Sequence, residues 1–210
     1  MATDSATSSS DETSLLLPKS TSRLDIIKYN VHTPFQSMPV EKMSKIAAAL
    51  AIPSHLMLYN LDGNMNIAMS IRSASVLGIS DVWIIGRRKY DARPEVGAKN
   101  YIRVHKLPAL DDPVAFFRDL GVQPILVEQG GTPLEDYSFK PHIRASRPVC
   151  FIMGSESHGI PPAVLSALID EPRITISQYG LVRSLNVSIA ASIILYEYLK
   201  QWRSLQAHGV

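Results

Sequence analysis

Apolar and polar positions alternate along this chain in two rhythms, one with a period near 3.6 residues and one of short continuous apolar runs. Glu41 to Leu50 has helical spacing and stops ahead of Pro53, since the residue before a proline is driven out of the helical region. Leu56-Met57-Leu58-Tyr59 is an apolar run of strand length. Ile67, Ile71, Ala74 and Leu77 share one helical face, and Gly78 ends that helix. Val82 to Ile85 is β-branched and predicts a buried strand. Further on, the pattern predicts a helix at Pro113 to Leu120, a strand at Pro124 to Val127 and a strand at Val149 to Met153. A helix at Pro162 to Ile169, a strand at Arg173 to Ile176 and a long closing helix from Asn186 to Leu205 complete the series. Strands alternating with helices at this spacing predict an α/β fold with a parallel sheet.

Composition narrows the class. Among 210 residues, 46% are hydrophobic and 19% charged, which is enough apolar material for a sizeable core. A single cysteine excludes a disulfide scaffold. No apolar run approaches the roughly 20 residues needed to cross a bilayer. A net charge of +2 permits nucleic-acid binding without demanding it. Met1 to Ser22 holds 11 Ser or Thr and no aromatic residue, so a disordered, untargeted tail is expected there. Residues 23–53 then form a short extension before a single domain over 54–210, and the expected location is the cytoplasm, with the nucleus as the alternative.

Candidate chemistry lies in three polar segments beside these elements. The first, Asn60 to Asn66, leads into the helix that carries Arg72. Asn66 reads as a helix cap or as a ligand group. Arg72, at the edge of an apolar face, reads as a surface ion pair or as a guanidinium that grips a phosphate or substrate hydroxyl. The second is Gly154-Ser-Glu-Ser-His-Gly159, whose glycines permit close backbone approach to a ligand. It lacks the Gly-Lys-Ser/Thr ending of a phosphate loop, the Gly-x-Gly-x-x-Gly dinucleotide pattern and the Gly-x-Ser-x-Gly elbow of hydrolases. No Cys/His spacing supports a metal site. The third, Ile176 to Asn186, is long for a strand-to-helix connection, and long loops in compact domains are usually functional; Ser184 and Asn186 are also candidate caps. Between Val82 and Lys106 lie seven Lys or Arg against Asp91 and Glu95. That excess reads either as a solvated face or as a phosphate-binding surface containing Arg87, Arg88 and Lys89.

In this order the three segments resemble the motifs of the SpoU (TrmH) branch of the SPOUT methyltransferases. They match as Asn66-x5-Arg72-Ser-Ala, as Ile152-Met-Gly154-x-Glu156-x-x-Gly159, and as Ile176 through Ser184-Leu-Asn-Val-Ser188-x-Ala190. The resemblance spans about residues 56 to 203. It implies a parallel-sheet SPOUT fold with a C-terminal deep trefoil knot, a homodimer, and transfer of a methyl group from S-adenosyl-L-methionine to a ribose 2′-hydroxyl of RNA, without metal. It places catalytic positions at Asn66, Arg72, Glu156, Ser184 and Asn186, and cofactor contacts at Gly154, Ile176 and Leu185. Two roles stay open for Arg72, proton acceptor or phosphate clamp, while Glu156 is expected to fix Asn66 or Arg72. A tRNA substrate is favoured over rRNA. The alternatives are base-nitrogen methylation and RNA binding without activity. The chain departs from the family's pattern at His158, where a small or basic residue is common, and at Ile176-Ser177, where many members have Ile-Pro. The apolar residues Ile189, Ile193, Leu195, Tyr196, Leu199 and Trp202 on the closing helix are more than one side of a sheet would cover, so part of that surface is expected to meet a second subunit.

Overall fold

The computed structural model describes residues 30–59, 62–86 and 89–207. The Ser/Thr-rich segment 1–22, Asn60, Arg87 and Arg88 lie outside the described residues. Helix α1 (Val40–Leu50) precedes strand β1 (Ile52–Tyr59), helix α2 (Asn64–Val76) and strand β2 (Ile79–Ile85). Strand β3 (Arg103–Leu107), helix α3 (Pro113–Leu120), strand β4 (Gln123–Pro133) and the short helix α4 (Lys140–Arg144) follow. Strand β5 (Val149–Met153), helix α5 (Pro162–Ala167), strand β6 (Arg173–Thr175) and helix α6 (Val187–Ala207) complete the order.

The six strands form one sheet in the order β3-β2-β1-β5-β4-β6, and every pairing is parallel. The period-two alternation of side chains divides the apolar runs between the sheet's two faces. Leu56 and Leu58 of β1 join Ile67, Ile71 and Ala74 of α2 and Ala191, Ile194 and Tyr198 of α6 in one core cluster. Met57 and Tyr59 join Phe117 of α3 and Val164 of α5 in the other. The apolar stripe on α2 thus packs as its spacing predicts.

Helix α4 was not expected, β1 and β2 begin four and three residues before Leu56 and Val82, and three further differences have a plain physical cause. Strand β3 falls in the basic stretch, where no strand was expected; its charged side chains mask it, and it is an edge strand, where such side chains belong. Strand β4 runs six residues beyond Val127. A register shift between Val127 and Thr132 lets it bend past Gly130 and Gly131 and continue beside β6. A Cβ at Gly131 would lie 2.7 Å from the backbone of Arg173, so only glycine allows that approach. Helix α2 starts three residues before Ile67, with Gly63 at its N-cap. Asn66 is therefore inside the first turn and does not cap the helix.

Because all strands run the same way, their carboxyl ends share one edge of the sheet. Ligands in open α/β sheets bind outside that edge.

Candidate active site

The connections that leave β4, β5 and β6 converge at this edge around a cavity of about 580 Å3. Its walls include Val127, Met153, Ile160, Ile176 and Leu185, and its polar groups include Glu128, Glu156, His158, Arg183 and Ser184. Gly154 is also in the wall, so all three cofactor positions implied by the resemblance meet in one place.

The turn after β5 is rigidly built. Ser155 and Gly159 exchange backbone hydrogen bonds of 3.0 and 2.9 Å, and the His158 N–H donates to Ser155 Oγ at 3.1 Å. Gly159 has φ +67°, which favours glycine. A Cβ on Gly154 would lie 1.9 Å from Gly159 C and 2.1 Å from Ile160 N. The close approach that Gly154 permits is thus to its own turn, where ligand contact was expected.

A chain of hydrogen bonds stitches three distant segments beside the cavity. Asn186 caps α6: its Oδ1 accepts from the Ser188 N–H at 2.9 Å and from Ser188 Oγ at 2.6 Å. Committing the oxygen to the cap turns the other end of the amide outward, and Asn186 Nδ2 donates to Asn66 Oδ1 at 3.1 Å. Asn66 Nδ2 in turn donates to Glu156 Oε1, and the Asp62 N–H donates to Glu156 Oε2 at 2.8 Å. Partial burial disfavours the charge on Glu156, but the donors from Asn66, Asp62 and Gly63 outweigh it and hold the carboxyl below its ordinary value. Glu156 is thus a fixed anion that aims Asn66. Cap and site are the same residue at Asn186.

Arg72 is not part of this chain. It is exposed and lines a second groove, of about 550 Å3, between α2 and α6, with Val76, Leu134, Ile189, Ile193, Tyr196 and Glu197. Among the described residues it has no hydrogen-bond or ion-pair partner. The structure therefore brings together Asn66, Glu156, Ser184 and Asn186 and leaves Arg72 across the first turns of α6.

Much of the basic stretch is neutralised locally. Arg93 pairs with Asp91 at 2.6 Å, Lys99 with Glu95 at 3.1 Å and Arg103 with Asp81 at 2.7 Å. Lys106 sits over the Tyr90 ring at 4.8 Å. Of the three residues expected to meet RNA, Lys89 is described, and Arg87 and Arg88 lie outside the described residues.

Sequence reasoning missed Glu128 and Gln129. Glu128 Oε1 accepts from the Gln129 N–H at 3.0 Å and Oε2 from the Ile160 N–H at 3.4 Å, while Gln129 Nε2 donates to Arg183 O at 3.2 Å. With β4 ended at Val127, these two read as ordinary loop polarity. Among the described residues, no group of three or more His, Cys, Asp or Glu is placed to hold a metal ion, and no helix is long and apolar enough to cross a membrane.

Comparison with known proteins gives a consistent result. Residues 53–196 match the model of the SpoU rRNA Methylase family. A tRNA (guanosine(18)-2′-O)-methyltransferase of Escherichia coli (strain K12) is 34% identical over 139 residues, covering 65% of this chain. The match spans 58% of that relative's length. Among solved structures, a protein of the TrmH family from Porphyromonas gingivalis superposes with a TM-score of 0.58 at 27% identity, covering 69% of this chain and 58% of its own. A TrmH/SpoU tRNA modifying enzyme from A. aeolicus gives a TM-score of 0.65 at 20% identity over 80% of this chain and 84% of that one, a likeness of fold.

Proposed function

Since the chain belongs to the SpoU rRNA methylase family, we propose that it transfers a methyl group from S-adenosylmethionine to a ribose 2′-hydroxyl of structured RNA, with tRNA the favoured substrate. The observation that carries this reading is the cavity at the carboxyl edge of the sheet, flanked by the Asn186–Asn66–Glu156 chain. The E. coli relative's name, which specifies a tRNA ribose, supports the choice of substrate.

The cavity suits the cofactor chemically. Its volume lies within the range of small-molecule sites, roughly 300–1,000 Å3. Ile176, Leu185 and Val127 offer apolar walls to an adenine, the Gly154 turn offers backbone, and Glu128 and Arg183 offer opposite charges to a zwitterionic amino-acid end. Bound there, S-adenosylmethionine supplies an electrophilic methyl group on a sulfonium. The protein's part is to place an oxygen in line with that carbon, and positioning accounts for much of such acceleration. Asn66, Ser184 and Asn186 orient the ribose, Glu156 holds Asn66, and Arg72 clamps a phosphate of the RNA. Lys89, with Arg87 and Arg88, adds backbone contacts.

Residues 54–210 form the catalytic unit in this reading, which works as a homodimer. Ile189, Ile193 and Tyr196 of α6 and Met65, Met69 and Val76 of α2 are exposed apolar side chains on neighbouring helices. A deep trefoil knot in the C-terminal part belongs to the same reading. The protein acts where its RNA is, in the cytoplasm.

The test is transfer of labelled methyl to bulk RNA, followed by nuclease digestion and mass spectrometry. A 2′-O-methylnucleoside is expected, recovered in tRNA and insensitive to chelator. A base-methylated nucleoside, or no labelled product, would overturn the reading.

A further inference from the structure

The loop after β6 carries Ser177 where many members of the family have proline. A proline there would fix its own φ at about −65° and restrict Ile176 before it, so that part of the loop would be set before any ligand arrived. Serine lifts both restrictions. A wall that is free to move must be ordered again when the ligand binds, and affinity is lost in proportion.

The structure contains a contact that takes the place of the ring. Ile176 and Gln178 line the cavity, and Ser177 between them does not. Its side chain turns the other way, and Ser177 Oγ donates to Glu135 Oε1 at 2.5 Å. An ionised acceptor makes this one of the stronger kinds of hydrogen bond, and the donor holds the Glu135 carboxyl below its ordinary value. Glu135 lies two residues past the end of β4, and the backbone beside it is already fixed. Pro133 pairs with Thr175, and the Leu134 N–H donates to Thr175 O at 2.8 Å. The backbone pairing with β4 therefore ends at Thr175, and the Ser177–Glu135 bond carries the hold of this segment past Ile176. At the other end of the loop, Gln129 Nε2 donates to Arg183 O, so the β4 segment grips the loop at two points.

Resting on the methyl-transfer reading, we propose that Ser177 and Glu135 are positioning residues for the cofactor: their hydrogen bond replaces the proline and keeps Ile176 and Gln178 in place at the cavity before S-adenosylmethionine enters. Neither residue lines the cavity, and Glu135 is exposed, so substituting them removes no wall residue and opens no core. Ser177 lies past the end of β6, outside the strand pairings, and its φ is not positive, so a proline there breaks no ladder bond.

A double-mutant cycle on the full chain tests this, with cofactor affinity read by calorimetric titration of S-adenosylmethionine. Ser177→Ala and Glu135→Ala should each weaken binding about threefold to tenfold, the effect of one hydrogen bond. The double variant should lose no more than either alone, since both remove the same contact. Ser177→Pro should bind as tightly as wild type, and Glu135→Ala should cost nothing in that background. In every variant the loss should fall on the cofactor KM, with turnover at saturating cofactor within about twofold of wild type and the melting temperature near it. A general loosening of the fold would move turnover and melting together. Additive losses in the double variant, an effect of Glu135→Ala that persists beside Ser177→Pro, or single variants that bind as wild type does would overturn the positioning role and leave the methyl-transfer reading standing. A wild-type chain that binds no S-adenosylmethionine would overturn both.

Discussion

Arg72 shows how a single residue constrains the chemistry. It leaves the helix surface beside apolar neighbours yet engages no partner among the described residues, so its charge is free for an anion. Arg72→Ala should therefore reduce methyl transfer by at least about 100-fold and leave the melting temperature and cofactor affinity near wild type, since no native contact is broken. Arg72→Lys should recover little, because an ammonium does not reproduce a planar two-pronged contact. Near-normal turnover of the alanine variant at saturating RNA would remove Arg72 from the site. Residue types and spacing made Asn66, Glu156, Ser184 and Asn186 legible in the sequence, through their resemblance to a family pattern. The hydrogen bond from Ser157 Oγ to Asp62 Oδ2 was not legible, because the two residues are 95 positions apart and neither has a periodic signal.

At the scale of elements, the segments with sharp ends were the readable ones. Helix α3 and strand β5 have the bounds their patterns predict, since Pro113, Gly121 and the apolar run of β5 leave no ambiguity. Strand β3 was hidden by Arg103, His105 and Lys106, of which Arg103 and His105 find their partner on the neighbouring strand. Asp81 of β2 is buried and accepts from Arg103 at 2.8 and 2.7 Å and lies 2.7 Å from His105 Nε2, with His55 Nε2 at 3.5 Å. Burial disfavours its charge, but the bonds from Arg103, His105 and Ser80 prevail and hold its carboxyl well below the ordinary range. His55 is held down by burial, and Trp83 Nε1 donates to its Nδ1 at 3.2 Å. Both shifts have one sign: the folded state binds these protons less readily than the unfolded chain. Stability is therefore full above about pH 6.5, declines as His55 must charge, and declines again below about pH 4 as Asp81 must be neutralised. Thermal melts across pH 3 to 8 should show both stages. Asp81→Asn should lower stability at pH 7 by about 2–3 kcal/mol and abolish the acid stage. A melting temperature constant down to pH 3 would refute the linkage.

For the whole molecule, the closing helix distinguishes self-burial from assembly. Of the six apolar residues from which part was expected to meet a second subunit, Leu195 is buried, and Leu199 and Trp202 pack against the core of their own chain. Ile189, Ile193 and Tyr196 remain 45%, 38% and 60% exposed, beside Val76 at 76%. A contiguous apolar face of this kind marks an association surface. Light scattering at micromolar concentration should give twice the chain mass, and Ile193→Glu should give a folded monomer, since it sets a charge on the exposed apolar face. A wild-type monomer would count against the dimer.

The strand order has a consequence for how this molecule comes into being. The central seam pairs His55 with Cys150, and the polar chain beside the cavity joins Asn66 to Glu156 and to Asn186. A chain emerging from a ribosome amino end first completes β1, β2 and β3 long before β5 exists to fill the place beside β1. Until then, one long edge of apolar strand stands open, a hazard for mispairing. Closing loops of this length before contacts reward them makes folding slow, and more so for parallel pairing. Refolding should accordingly take far longer than for a helical bundle of equal size, and catalytic competence should appear in its last phase, because no amino-terminal fragment contains the residues that the site unites.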